Sequence, residues 1–150
     1  MVKKLVIVRH SLREDYGPDK TSSKNGDPLL SIMGKRKCLD TKNKIEDLVG
    51  TIDKTYTSPL KRTLHTAILL CDEMYSIHEE CLLVEGQDKS PPSFSDELVT
   101  RLKNEGIKYP ETMINIKLRC NKMLQKVKHD FKDKDTVLLV TRGIGNVWFI

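Results

Sequence analysis

The sequence predicts an α/β fold, a three-layer sandwich in which a mostly parallel central sheet is covered by helices on both faces. Short unbroken apolar runs alternate with longer segments whose apolar residues recur at helical spacing. Parallel strands buried on both faces read as such unbroken runs. The length of 150 residues suits one domain over the whole chain, 1–150. The predicted strands are 5–8, 55–57, 81–85 and 136–140.

Four helices are predicted between and beside these strands. The first runs from Ser31 to Val49 and stops before Gly50, with apolar residues at Ile32, Leu39, Ile45, Leu48 and Val49. In the stretch "SPLKRTLHTAILL", Ser58 is a suitable N-cap and Pro59 a suitable first helical residue. The remaining helices are a long one over 111–131, whose apolar positions end at Phe131, and a short one over 95–104. Residues 14–30 and 86–110 are predicted to be mainly loops.

The charge balance favours anionic partners. There are 26 Lys and Arg against 21 Asp and Glu, a net charge of +5. A Lys-rich solvated surface is the plainer interpretation. Nucleic acid is not expected, because the Lys-rich stretches 35–44 and 126–134 alternate with acids and lack an aromatic stacking platform.

Cysteine usage and motifs exclude several classes of function. The cysteines at 38, 71, 81 and 120 have no C-x-x-C spacing, so we expect reduced thiols and no metal site. No signal-peptide core and no run near 18 apolar residues occurs, which predicts a cytoplasmic protein with no membrane span. Without a P-loop or G-x-G-x-x-G motif, no cofactor is expected.

The residues that could carry chemistry follow the predicted strands. In open parallel sheets, ligands bind outside the carboxyl ends of the strands. The first strand ends at Arg9 and His10, the second leads into a helix that carries Arg62, and the third ends at Glu85. The rim of the sheet is therefore predicted to gather Arg9, His10, Arg13, Arg62, Glu85 and Arg142.

Four guanidiniums around one imidazole need an anion. At about 5 Å, two unit charges repel by roughly 3 kcal/mol at an effective dielectric of 20. A phosphoryl group fits, because the planar Arg fork matches phosphate oxygens and a helix N-terminus adds N–H donors. His10 could then attack phosphorus, and Glu85 could protonate the leaving oxygen. Taken singly, each residue could equally be a surface charge or a structural side chain; their convergence favours the phosphate site.

Several segments resemble motifs of the histidine phosphatase superfamily, which shares the fold of cofactor-dependent phosphoglycerate mutase. "VIVRHSLRED" resembles its R-H-G motif, "DPLLSIMGKRKC" its D-x-P-L-T-x-x-G segment, and "VLLVTRG" its V-x-V-T-H-G segment. The match of "TSPLKRTLHTA" to S-P-L-x-R-x-x-x-T-A is the most specific. "RHSLRED" and "LLVEGQ" are similar to the phosphatase arm of the superfamily with the R-H-G-E-R type motif.

The resemblance implies a phosphomonoester hydrolase that works through a phosphohistidine on His10. It implies Arg9, Arg13 and Arg62 as phosphate ligands and Glu85 as the acid. The implied partner is a phosphorylated small molecule or a phosphoprotein, and mutase activity is an alternative to which nothing in the residues points.

Three departures from the family motifs bear on activity. Ser11 replaces the usual glycine and adds a hydroxyl to the expected substrate site. Arg142 stands where the family has its second histidine; it keeps a positive charge but cannot shuttle a proton. A catalytically weak or inactive pseudophosphatase, acting as a phosphate-binding or interaction module, is therefore the alternative function.

The third departure is the end of the chain, eight residues beyond Arg142, where the family usually continues. We expect the usual C-terminal portion to be lacking. The alternatives are a truncated chain, a shortened gene product, and an apolar terminus covered by a second copy in a homodimer.

Overall fold

The protein is described by a computed structural model over residues 4–15, 27–72, 76–86, 94–130 and 135–142. Within these ranges the elements alternate as the sequence predicts. They are β1 (Lys4–Arg9), α1 (Ile32–Val49), β2 (Lys54–Thr57), α2 (Lys61–Leu70), β3 (Ile77–Glu79), a 3₁₀ helix (Cys81–Leu83), α3 (Asp96–Asn104), α4 (Met113–Asp130) and β4 (Thr136–Thr141).

The four strands form one parallel sheet in the order β1-β4-β2-β3. Two backbone hydrogen bonds continue the ladder beyond the strands at the carboxyl edge. His10 N donates to Thr141 O at 3.0 Å, and Ser58 N donates to Val140 O at 3.0 Å. The ends of β1, β4 and β2 are therefore level, which confirms the predicted parallel sheet and brings three chain segments to one edge.

Helices cover both faces of the sheet, so the predicted three-layer arrangement is confirmed. On one face α1 and α2 pack against β4, and on the other α4 packs against β2 and β4. The first core contains Leu30, Cys38, Ile45, Ala67, Leu70, Leu138 and Val140. The second core contains Tyr56, Leu83, Met123, Val127, Val137 and Leu139.

The predicted strand over 81–85 is wrong. The third strand lies earlier, at Ile77–Glu79, and Cys81–Leu83 forms a 3₁₀ helix whose first turn is capped by the Glu80 side chain, which accepts from Leu82 N at 3.1 Å. A short apolar run shows burial but does not distinguish a strand from another buried segment. Cys81 and Val84 are indeed buried, but they pack against Leu102 of α3.

Two helices and one strand differ in detail from the prediction. Helix α2 begins at Lys61 instead of Pro59. Helix α1 buries Gly34, Cys38 and Ile45, whereas Ile32, Leu39 and Leu48 are exposed. Strand β1 is an edge strand and leaves Leu5 and Ile7 39 % and 37 % exposed, so within the described chain it is buried on one face only.

The predicted loops and the end of the chain are described only in part. Residues 16–26 and 87–93, Phe131 and residues 143–150 lie outside the described residues. Among the residues described, no helix combines the length and the apolar character needed to cross a membrane.

We expect Gly34→Ala to destabilise the protein. An added Cβ would lie 2.3 Å from the carbonyl oxygen of Leu12, so α1 and the loop after β1 could no longer touch. Alanine favours a helix by about 1 kcal/mol over glycine, but overpacking against backbone costs more, so we expect a net loss of about 2 kcal/mol in the free energy of unfolding. Urea denaturation measures it, with the exposed Arg36→Ala as the control; equal stability of both variants would contradict the close approach.

Candidate active site

His10 follows β1 at the carboxyl edge of the sheet and presents one ring nitrogen without a partner. Its Nδ1 lies 2.7 Å from the carbonyl oxygen of Ser11. A carbonyl can only accept, so Nδ1 carries the proton and Nε2 keeps its lone pair. Nε2 is buried and has no hydrogen-bond partner in the part of the chain that the structure describes. The backbone of the next residue thus orients the imidazole, and no described residue pairs with its Nε2.

The surroundings of His10 keep its ring neutral. Burial is the main cause that lowers the pKa of His10, the hydrogen bond to Ser11 O opposes it, and the positive charges of Arg62, Arg9 and Arg142 add to the lowering, so that the pKa falls from 6.5 to about 4. A neutral imidazole at physiological pH is the form that can act as a nucleophile.

Arg62 lies in the first turn of α2 and is 1 % exposed. Its Nη1 is 3.3 Å from Asp27 Oδ1, its Nη2 is 3.4 Å from Glu85 Oε2, and its buried Nε has no partner among the described residues. Burial is the main cause that lowers the pKa of this guanidinium. Both ion pairs are long, so Arg62 keeps donor capacity that a ligand could use.

Asp27 was not singled out by the sequence analysis, although "DPLL" opens one of the segments that resemble the family. Its carboxylate accepts the backbone N–H of Lys61 at 3.0 and 3.1 Å, which caps α2 from a distant segment. Leu60, at the N-cap position of α2, has no side chain that can accept a hydrogen bond, and Asp27 takes over this role.

Glu85 reaches the rim although no strand leads to it. Its Oε2 accepts from Arg142 Nη1 as well as from Arg62 Nη2, and the carboxylate is buried between the two guanidiniums. The hydroxyl of Thr141 donates to Leu83 O at 2.8 Å and ties the 3₁₀ helix to the end of β4. The structure thus brings His10, Arg62, Glu85 and Arg142 together.

The other predicted residues lie around this group with different surroundings. The Ser11 hydroxyl donates to Gly34 O at 2.7 Å, and Ser11 N donates to Thr66 Oγ1 at 3.1 Å, so Ser11 fastens the loop to α1 and α2. Arg13 donates from Nε to Asp15 Oδ1 at 2.8 Å. Arg9 is exposed, yet its charge still acts on His10.

A cavity of about 490 Å³ opens beside His10. Its lining includes Arg9, His10, Ser11, Arg13 and Arg142. The positive charges around His10 exceed the carboxylates of Glu85 and Asp27 that contact Arg62, so a dianion would relieve the repulsion among the guanidiniums. Arg62 and Glu85 do not line this cavity, so the cavity meets their side of the site only at His10 and Arg142. The charge around His10 suits an anion bound against the imidazole.

The family of this chain follows from a comparison with known protein families. The profile of the histidine phosphatase superfamily (branch 1) matches residues 5–146. The protein therefore belongs to the histidine phosphatase superfamily, as the motifs predict.

Solved structures share the fold at low sequence identity. The alpha-ribazole phosphatase from Shigella flexneri superposes with a TM-score of 0.64 at 16 % identity, over 92 % of this chain and 73 % of that one. The ecdysone phosphate phosphatase from Bombyx mori superposes with a TM-score of 0.66 at 19 % identity, over 92 % of this chain and 72 % of that one. The phosphoserine phosphatase from Entamoeba histolytica superposes with a TM-score of 0.62 at 20 % identity, over 93 % of this chain and 74 % of that one. No curated protein matches this chain in sequence.

We expect the His10 ring to titrate with a midpoint near pH 4 in the ligand-free protein, because burial and three arginines disfavour the imidazolium. Inorganic phosphate should raise the midpoint, because a bound anion stabilises the protonated ring and offsets the charge of the guanidiniums. NMR of the imidazole protons measures both values, with the resonance assigned by its loss in His10→Asn. A midpoint near 6.5 that phosphate does not move would contradict this environment.

Proposed function

We propose that the protein is a phosphomonoester hydrolase that forms a phosphohistidine on His10. The observation that carries the proposal is the buried His10 Nε2, which has a lone pair and no partner among the described residues, beside the buried guanidinium of Arg62. His65 also has a buried nitrogen, Nδ1, without a partner among the described residues; what distinguishes His10 is that three arginines act on its ring. The substrate class is a phosphorylated small molecule or a phosphoprotein.

The first step transfers the phosphoryl group to the protein. The lone pair of His10 Nε2 forms a bond to phosphorus, and the bond between phosphorus and the ester oxygen breaks. The leaving oxygen takes a proton from the Glu85 carboxylic acid. The Nδ1 proton, held by Ser11 O, keeps the ring in the reactive tautomer throughout.

The second step releases inorganic phosphate. Glu85, now a carboxylate, accepts a proton from water, whose oxygen attacks phosphorus while the bond to Nε2 breaks. Arg62 binds the phosphoryl oxygens in both steps, Arg9 and Arg13 contribute positive charge from the cavity beside His10, and the N–H groups at the start of α2 lie near Arg62. Free enzyme is restored with no cofactor.

Arg142 complicates the role of Glu85. Its guanidinium donates to the same Oε2 that Arg62 contacts, so the carboxylate already has two cationic partners. A bound phosphate competes for those guanidiniums and must loosen their hold before Glu85 can carry a proton. This ion pair is also the observation that favours the second candidate function, a pseudophosphatase that binds phosphate esters with little turnover.

His10→Asn should abolish hydrolysis of 4-nitrophenyl phosphate and leave phosphate binding largely intact, because the nucleophile is lost while the arginines stay. Phosphate release and ³²P-labelled protein after an alkaline quench are measured together. His65→Asn, on α2, is the matched control and should keep both signals. Equal rates of 4-nitrophenyl phosphate hydrolysis in wild type and His10→Asn, with phosphate binding retained, would contradict catalysis by His10 and favour the pseudophosphatase.

Arg142→His should raise turnover by about tenfold or more, because it frees Glu85 from one ion pair and supplies a group that can hold or give up a proton. The steady-state kcat is measured beside Arg142→Met, which frees Glu85 without adding an imidazole, and beside Arg36→His as a surface control. An unchanged or lower kcat in Arg142→His would mean that the arginine does not impair catalysis.

A further inference from the structure

A second buried arginine, Arg119, contacts the segment that carries Glu85. Arg119 projects from the buried face of α4 and forms a bidentate ion pair with Glu111, from Nε to Oε2 at 2.9 Å and from Nη2 to Oε1 at 2.6 Å. Both side chains are 4 % exposed. The sequence analysis passed over this pair, although Arg119 is a charged residue among the apolar positions of a helix.

The remaining donors of Arg119 hold the segment that carries Glu85. Its Nη1 donates to the carbonyl oxygens of Leu82 and Val84, each at 2.7 Å. The hydroxyl of Tyr109 donates to the carbonyl oxygen of Glu85 itself. The backbone carbonyls of residues 82, 84 and 85 thus each accept a side-chain hydrogen bond.

The contact between this segment and α4 is close as well. A Cβ at Gly86 would lie 2.6 Å from Ile116 Cδ1 and 3.3 Å from Arg119 Nη2, so the chain passes close to α4 and a larger residue here would have to displace the Ile116 side chain. These contacts matter because β3 ends at Glu79, and among the described residues the sheet supplies no ladder hydrogen bonds to residues 82–86.

An ion pair used only for stability could be replaced by apolar side chains of similar volume. Apolar side chains could not satisfy the carbonyls of Leu82 and Val84, which are held by the guanidinium. The pair with Glu111 fixes the orientation of the guanidinium, and the guanidinium fixes the backbone from which the Glu85 side chain reaches Arg62. The role that these contacts support is placement of a carboxyl group.

We propose that Arg119, oriented by Glu111, is a positioning residue for the acid step: it holds residues 82–86 so that the Glu85 carboxyl meets the leaving oxygen of a phosphate ester. The inference rests on the proposed function, since it assigns a residue to that same reaction. Arg119 itself touches neither substrate nor reacting atoms.

The leaving group separates positioning from general stability. An alkyl or phenyl phosphate needs a proton on its leaving oxygen, whereas 2,4-dinitrophenolate leaves without one. The double variant Glu111→Leu/Arg119→Met removes both charges together and leaves no buried carboxylate unpaired. We expect its kcat/KM, which reports the first transfer, to fall about 100-fold on phenyl phosphate and less than about threefold on 2,4-dinitrophenyl phosphate. Inhibition by inorganic phosphate should be unchanged.

The matched control removes an exposed ion pair of the same kind. Arg101 donates to Glu79 at 2.5 Å on the surface, so Glu79→Leu/Arg101→Met should leave kcat/KM on both esters unchanged.

Should Glu111→Leu/Arg119→Met fail to fold by circular dichroism, Tyr109→Phe provides the test, because it removes only the donor to Glu85 O. In Tyr109→Phe, kcat/KM on phenyl phosphate should also fall more than kcat/KM on 2,4-dinitrophenyl phosphate, but by less than in the double variant.

The outcomes separate this inference from the function on which it rests. Equal losses on both esters, or no loss on either, would overturn the positioning role while the wild type remains an enzyme. A wild type no faster than His10→Asn on 2,4-dinitrophenyl phosphate would overturn the proposed function and the positioning role with it.

Discussion

The arrangement of the site depends on one buried, incompletely paired positive charge, the guanidinium of Arg62. Removing a guanidinium from water is costly unless its donors find acceptors. Arg62 has only long contacts to Asp27 and Glu85 and one nitrogen without a partner among the described residues. Asp27 in turn caps α2, and Glu85 belongs to the segment after the 3₁₀ helix. The ion pairs of Arg62 thus join three parts of the chain. They leave donor capacity on the guanidinium that a phosphate could use.

The two buried arginines of the described chain have opposite hydrogen-bonding states. Arg119 makes four short hydrogen bonds, two to Glu111 and two to backbone carbonyls, and has no need of a ligand. Arg62 is even less exposed, but its contacts are longer and its Nε is unpaired. The same side chain can therefore fix a scaffold or receive an anion. Whether a buried arginine holds the backbone or binds an anion depends on how many hydrogen-bond acceptors the fold places around its guanidinium.

Much of the site was predictable because the rule behind it concerns strand ends. His10, Arg62 and Arg142 follow or flank apolar runs, and parallel strands bring such ends to one edge. Glu85 was predicted for the wrong reason: it reaches Arg62 through a 3₁₀ helix held by Thr141 and by Arg119, not at the end of a strand. Asp27 and Arg119 were missed because their contacts with Lys61 and Leu82 span 34 and 37 positions of the chain, and contacts this distant leave no local periodicity.

The sequence by itself determined the class of fold, the parallel sheet and the family, because apolar periodicity and motif spacing are local properties of the chain. Only the tertiary structure decided which side of each element is buried, as α1 and the edge strand β1 show. It also decided that the Ser11 hydroxyl donates to α1, that Glu85 lies between two guanidiniums, and that His10 Nε2 is buried with no partner in the described chain. Burial and hydrogen-bond pairing arise from contacts between distant segments, and no local pattern of residues encodes how many acceptors a buried donor will find.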